Sequence, residues 1–453
     1  MVILQDAVPE LKGFLRATGL KAERLNMVAR LMIAFTMHRC RMSASQAAGA
    51  VRSDPRHRGQ VCRFLSRKFW QGKAILSTLS EQLLVLSAPQ GTWVFIIDQT
   101  LCSQQGEHTE NTYSTGNRQR RPRKGRRYSK YKHARKQCHC FVMGLLISPQ
   151  GIRIPFCKCY YTAEHCKKTN RPYRTQTELA AELIRELPLP KGTVVVVLGD
   201  TAFEAKSIRE ACSVGPYTWI VPLNPERVLA GEKPRPKVWS LVRNLSAGQF
   251  TPVRLHPGRG EFVAQRRVSP HRMGPKTKPR TFYVHQERRD VHSVGDVRLV
   301  FSTRTSPQKG KPVEVQKILM TSDQNLPVAK IVELYDLRWQ IELFFKELKS
   351  TLGLHQYGFR KFSAVERWVE LALVTFVYLE WIRVRQIRRR DLTKKDKRWW
   401  GHQRTHGLCH AVRQIAERNE LKFLAKRLRT PYGVKQTQRI FERACPREYR
   451  SPI

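Results

Sequence analysis

At 453 residues, with 41% hydrophobic content and 9 tryptophans, the chain has the apolar material for two or three domains with substantial cores, which excludes a disordered polycation. Lys and Arg number 83 against 36 Asp and Glu, a formal net charge of +47 that is strongly self-repelling without a polyanionic partner, so nucleic acid is the expected partner. An anionic membrane surface is the rival partner, but the longest apolar run, Leu371 to Tyr378, is far too short to span, and the first residues lack a signal-peptide pattern; eleven cysteines, an odd number, fit reduced thiols in a cytosolic compartment.

Residues 1 to about 90 read as helical, with apolar periodicity over Leu25 to Met37 and an amphipathic segment over Gln60 to Phe69. The stretch SASQAAGAVRSDPRHRGQVCRFLSRKFW has helix-turn-helix spacing, open to reading as a DNA-binding unit or as a plain structural bundle. Thr92 to Ile97, TWVFII, is a buried strand that ends at Asp98. The block from Arg118 to Lys136 contains no acid and reads as a loop. Its Arg126, Arg127 and Lys130 are placed to meet phosphates, and Tyr128, Tyr131 and His133 to stack on bases or sugars.

A hairpin follows, CHCFVMGLLI and IRIPFCKCYY around a turn at Ser148 to Gly151. Pairing Ile147 with Ile152 would set Cys140 opposite Cys159 and put Cys138, Cys140, Cys157 and Cys159 on one face, near His165 and Cys166. Zinc is conceivable there. The C-x-C spacing is not the usual C-x2-C, and cysteine is a common buried apolar residue, so no ligand is assigned. Glu178 to Leu187 is helical, and Thr193 to Leu198, TVVVVL, is a second buried strand, ending in Gly199 and Asp200. Beyond a helix over Phe203 to Cys212 and a strand over Tyr217 to Val221, the stretch Pro225 to Val294 is rich in proline, glycine and arginine. Short alternating runs at Pro252 to Leu255, Phe262 to Val268 and Phe282 to His285 mark it as a β-rich insertion. Strand character returns at Arg298 to Arg304 and Lys317 to Thr321.

Pro327 to Leu352 reads as one long helix, with proline in the first turn and Gly353 after the last. Leu334, Leu337, Ile341, Phe344, Phe345 and Leu348 form its apolar face; Glu333, Asp336, Gln340 and Glu347 form its solvent face. A third stripe carries Tyr335, Arg338, Glu342, Lys346 and Lys349. One carboxylate among cations fits a structural ion pair as well as a metal site. Ser363 and Glu366 then form a capping box opening a second long, largely buried helix to about Arg389, and a basic tail follows.

Either aspartate alone could cap a helix after its strand. Two strands each ending in an aspartate, a hairpin between them and an acidic helix resemble the ribonuclease H-like fold, an α/β class, here with a helical N-terminal domain and a β-rich insertion. The resulting division is 1–90 helical and DNA-binding, 91–224 and 296–392 the two parts of the core, 225–295 the insertion, and 393–453 the basic tail. In that arrangement Asp98, Asp200 and Glu342 converge as hard oxygen ligands for two Mg2+ ions, for which Mn2+ could substitute.

Tyr335, two residues, Arg338, three residues, Glu342, six residues and Lys349 reproduce the signature of bacterial insertion-sequence DDE transposases of the cut-and-paste group. The resemblance covers about Trp93 to Arg390. It implies that Asp98, Asp200 and Glu342 bind the catalytic metals and that Tyr335, Arg338 and Lys349 hold phosphates of the transposon end; Lys346 joins them because it shares the stripe. It implies double-stranded DNA partners, transposon ends and target, a homodimer in the DNA complex, and a cytoplasmic, nucleoid-associated place in a bacterium. It also implies hairpin intermediates and a flipped base against an aromatic of the insertion, for which Trp239 is the candidate. The competing readings are a ribonuclease H-like nuclease that cuts without joining and a transposase-derived DNA-binding regulator.

Overall fold

The computed structural model describes residues 9–37, 47, 58–66, 72–88, 90–104, 108–115, 136–231, 235–267, 278–414, 429–432 and 434–435. The helix-turn-helix stretch lies largely outside them, and the acid-free block with Arg126, Arg127 and Lys130 lies outside them entirely except for Lys136. The chain is a mixed α/β protein that divides into two compact units, Met1–Gln82 with Lys346–Gln386 and Gln403–Ile453, and Leu83–Phe345 with Ile387–His402.

In chain order the elements begin with helices α1 (Pro9–Arg16), α2 (Ala22–Met37), α3 (Arg58–Ser66) and α4 (Gly72–Val85). Strands β1 (Trp93–Gln104), β2 (Tyr113–Thr115), β3 (Lys136–Ile147) and β4 (Arg153–Cys159) follow, then α5 (Ala163–Thr169), α6 (Gln176–Arg185), β5 (Val195–Leu198), α7 (Lys206–Val214) and β6 (Tyr217–Pro222). Next come α8 (Val238–Arg243), β7 (Thr251–Leu255), α9 (Val263–Arg266), β8 (Arg280–Val291), β9 (Gly295–Thr303) and β10 (Lys317–Thr321). The chain closes with α10 (Val328–Asp336), α11 (Trp339–Ser350), α12 (Phe362–Arg388) and α13 (Lys394–His402).

In the first unit the aromatic side chains of α12 form the core: Phe14 packs 5.3 Å from Tyr378 and 5.0 Å from Trp381, and Phe35 packs 4.8 Å from Trp368. The near-continuous apolar character of α12 is matched by its burial from Phe362 to Val384.

The second unit is built on one ten-stranded sheet in the order β2-β3-β1-β5-β6-β10-β9-β8-β7, with β4 added on β3. β1, β5 and β6 run parallel, and the pairs β1–β3, β3–β4, β6–β10, β10–β9, β9–β8 and β8–β7 are antiparallel. Trp93 to Ile97 and Val195 to Leu198 are all buried, as a strand covered on both faces requires. Gly144 on β3 is demanded by packing, since a Cβ there would sit 2.2 Å from the Phe95 ring. The β-rich segment extends this sheet through β7 and β8, because β8 pairs with β9 from Tyr283 to Val291 and with β7 from Arg280 to Val284. One of its expected strands is a helix instead: Phe262 to Val268 contains α9, and Val268 lies outside the described residues.

Further sequence expectations need correction, the first being the strand expected to end at Asp98, which runs on to Gln104. The single helix Pro327 to Leu352 is two helices, because the backbone tightens between them into i→i−3 bonds, Leu337 to Leu334, Arg338 to Tyr335, Gln340 to Leu337 and Ile341 to Arg338. Its solvent face is partly covered. Gln340 is buried beneath the carbonyl of Arg266, and Glu347 is buried where Thr405 Oγ1 donates to it at 2.6 Å. Lastly, the hairpin is one residue out of the expected register, with Ile147 beside Arg153 and Phe141 beside Cys159, because Ser148 N–H donates to Ile152 O across the turn. Cross-strand partners share a face, so Cys138 and Cys140 lie on one face and Cys157 and Cys159 on the other.

Candidate active site

The parallel register brings the two aspartates together. β1 and β5 pair in step from Trp93 with Val195 to Ile96 with Leu198. Asp98 and Asp200 each stand two residues beyond that last pair, so the period-2 alternation of strands points both to the same face at the same end. Asp98 remains on β1, opposite Met143 of β3, and its Oδ1 accepts the Gln99 N–H at 2.7 Å. Asp200 has left its strand. It caps the short 3-10 turn Thr201–Phe203, accepting the Ala202 N–H at 2.9 Å through the same short-polar-side-chain preference that favours aspartate at any N-cap.

The third acid comes from the junction of α10 and α11. In a 3-10 turn the side chains at i and i+3 eclipse, which sets Arg338 beside Tyr335, and the two side chains hydrogen-bond. Glu342, in the first turn of α11, then accepts from Arg338 Nη2 at 2.5 Å, while Arg338 Nη1 stands 3.9 Å from Asp98 Oδ2. One guanidinium thus bridges two of the three acids, a charge-assisted contact on side chains that are mostly covered.

The electrostatics carry the same message. Burial pushes the Asp98 carboxyl up to about 6, the Gln99 N–H opposes this, and the neighbouring Asp200 and Glu342 charges raise it further against Arg338. Burial raises the Tyr335 phenol as well, aided by Asp200 and Asp98 and opposed by Arg338. Three acids and Tyr335 therefore sense one another's charge across a small region, and Arg338 is the cation among them.

Three carboxylates, with oxygens only, suit a hard divalent cation in donor chemistry, and a carboxyl held near 6 by burial and like charges is one that a cation would relieve. As placed, no three His, Cys, Asp or Glu side chains among the described residues stand close enough to hold a metal ion. Glu342 is turned into Arg338 and Asp200 into its cap. The donor set fits such an ion in its chemistry, not in the placement of its side chains. The same holds of zinc in the hairpin only in the negative, since the register divides its cysteines between faces and Cys140 is instead contacted by Gln176 at 3.5 Å.

Of the remaining expected site residues, Lys346 is exposed and Lys349 half-buried further along α11. Trp239 on α8 carries the Arg243 guanidinium 3.8 Å over its ring and lines a cavity of about 400 Å³ with Thr201, the residue after Asp200. Sequence reasoning missed Lys317 and Arg304. Lys317, at the start of β10, holds its Nζ 4.8 Å from the centre of the Tyr335 ring, and both cations line a cavity of about 330 Å³ beside Tyr335 and Arg338. Basic residues at a strand edge carry no spacing signal; only the fold sets them beside the signature.

No curated protein matches the chain. Among solved structures, the piggyBac transposase synaptic complex with hairpin DNA is similar at 10% identity and a TM-score of 0.42, over 100% of this chain and 86% of that one. The transposase DDE domain family matches residues 89–378. That match covers more than half of the chain and takes in Asp98, Asp200 and Glu342, and the chain belongs to the transposase DDE domain family.

Proposed function

We propose that the protein cuts DNA at terminal inverted repeats and joins the freed 3′ ends to target DNA, with Asp98, Asp200 and Glu342 as its catalytic carboxylates. The observation that carries this reading is the matched offset of Asp98 and Asp200 beyond paired parallel strands, with Glu342 close enough to raise the Asp98 carboxyl. The succession β4-β3-β1-β5-β6, antiparallel for the first three strands and parallel for the last three, supports a ribonuclease H-like core. The division into a helical 1–90 segment, a core in two parts, the 225–295 insertion and a basic tail belongs to the same reading, as do a homodimer on DNA and a place on the bacterial nucleoid.

Two Mg2+ ions, or Mn2+ in their stead, held by the three acids would sharpen the attacking oxygen and stabilise the departing one. The protein's own part is positioning. A water oxygen attacks phosphorus at the transposon end, the P–O3′ bond breaks, and the 3′-hydroxyl leaves; that hydroxyl then attacks a target phosphodiester, whose P–O3′ bond breaks in turn. Arg338 and Tyr335, with Lys346 and Lys349 beyond them, hold the end's phosphates. Once a phosphate draws Arg338 away from Glu342, the acid is released for metal, which makes DNA binding a condition for assembling the site. The +47 charge supports a polyanionic substrate. Trp239, its ring now stacked by Arg243, is the candidate for a flipped base.

Incubating the protein with Mg2+ and the DNA flanking its own gene tests this. Cleaved ends joined to a plasmid are the expected products. Cleavage without joining would favour a nuclease, and salt-sensitive binding without cleavage a DNA-binding regulator.

A further inference from the structure

Two cavities meet at Lys317. The smaller, of about 330 Å³, includes Phe282, Arg304, Tyr335 and Arg338 in its wall, the larger includes Trp239 and Arg243, and both share Gln316 and Lys317. None of the three acids lines either one.

The charge of the smaller cavity does not balance. Its carboxylate, Asp336, is already engaged by Arg280 and by Arg266 at 3.7 Å, and Arg338 is engaged by Glu342. Arg304 and Lys317 make no ion pair with a carboxylate among the described residues. Each lies over an aromatic ring instead, Lys317 4.8 Å from the centre of Tyr335 and Arg304 5.2 Å from the centre of Phe282. Stacking of this kind fixes a cation in position without cancelling its charge. It also occupies the ring faces on which a nucleobase would otherwise lie, so this cavity suits a small dense anion better than a base. Partial burial first, then the adjacent Arg338 and Arg304, pull the Lys317 ammonium below its usual range, with Asp336 and Glu342 opposing.

We propose that Arg304 and Lys317 form a phosphodiester site for the DNA strand running past Arg338, a second grip outside the three acids and outside Tyr335, Arg338, Lys346 and Lys349. The inference rests on the DNA-cutting reading above. Two separated cations preset on rings would fix the strand's direction as it leaves the acids, which a single arginine cannot do.

The test uses the full-length protein and a fluorescein-labelled duplex from the DNA flanking its gene, with binding measured across a range of salt. Lys317→Gln and Arg304→Gln should each lower the slope of log affinity against log salt by about 0.9, and the pair by about 1.8. Lys317→Arg should restore the slope. Replacing backbone phosphates one at a time by uncharged methylphosphonates should reveal, for each single variant, a position at which that variant and the wild type have the same slope. A variant slope equal to the wild type's, or an equal variant deficit at every methylphosphonate position, would overturn the proposal. Cleavage of the same ends by the wild type separates the outcomes: cleavage with unchanged variant slopes sinks only this inference, whereas neither binding nor cleavage by the wild type sinks both.

Discussion

Asp98 within β1, Asp200 just beyond β5 and the cysteines of the β3–β4 hairpin begin from the same raw material, metal-ligating side chains on neighbouring strands of one sheet. Their fates differ because of strand register. Asp98 and Asp200 stand at equal offsets from an in-step parallel pair, so they share a face whatever the exact length of either strand. The cysteines depend on a turn whose length shifts the pairing by one residue, and that shift sends Cys157 and Cys159 to the face opposite Cys138 and Cys140. A ligand set read from sequence is thus only as good as the register that assembles it.

The contrast can be broken most forcefully at the acids. Asp98→Asn and Glu342→Gln should each reduce end cleavage by about 1000-fold or more, since each removes several kcal/mol of metal-borne stabilisation of the transition state. End binding, followed by fluorescence anisotropy, should persist in both. Loss of binding with cleavage retained would remove the acids from the chemistry.

Arg338→Ala sharpens the same side. In the absence of DNA it should tighten Mn2+ binding, read by electron paramagnetic resonance, by up to about tenfold, because the guanidinium no longer occupies Glu342; the contact is part-exposed, so the gain is modest. The same variant should weaken end binding and flatten its salt dependence. Unchanged Mn2+ affinity would mean that Arg338 does not withhold Glu342.

On the other side, chelator treatment should leave the melting temperature unchanged. Cys157→Ala with Cys159→Ala should cost no more than about 1 kcal/mol, as for half-buried apolar positions, where loss of a structural zinc would be far more damaging. The smallest effect concerns His139, which shares the face of Cys102, is fully buried, and has its ring pushed down to about 4 by burial, the carbonyl of Glu110 opposing and His165 adding to the shift. The unfolded chain takes up that proton between about 6.5 and 4 and the folded chain does not, so the ring's contribution falls as pH falls through that window. The stability advantage of wild type over His139→Asn, measured by thermal melts, should therefore shrink from pH 7 to pH 4.5.

Much of this architecture was legible. TWVFII and TVVVVL declared two buried strands and the Tyr335, Arg338, Glu342 stripe followed from helical spacing, but the first strand does not end at Asp98 as expected and runs on to Gln104, paired with β3. What the sequence could not supply was set by tertiary context. No proline or glycine marks the tightened turn at Leu337 and Arg338, because the i→i−3 bonds there satisfy the same backbone groups as a regular helix. Gln340 and Glu347 read as solvent-facing because polarity does not reveal a neighbour that will cover and bond them. Lys317 and Arg304 were invisible for want of any periodicity linking them to the signature.

The most direct test of the central claim is an anomalous-scattering map of Mn2+ in crystals of the protein bound to its own DNA ends. A manganese peak in contact with carboxylate oxygens of Asp98 and Glu342, with Arg338 moved onto a phosphate, is the expected result. Arg338 still bridging Glu342 and Asp98 with DNA in place, and no manganese at either acid, would contradict it.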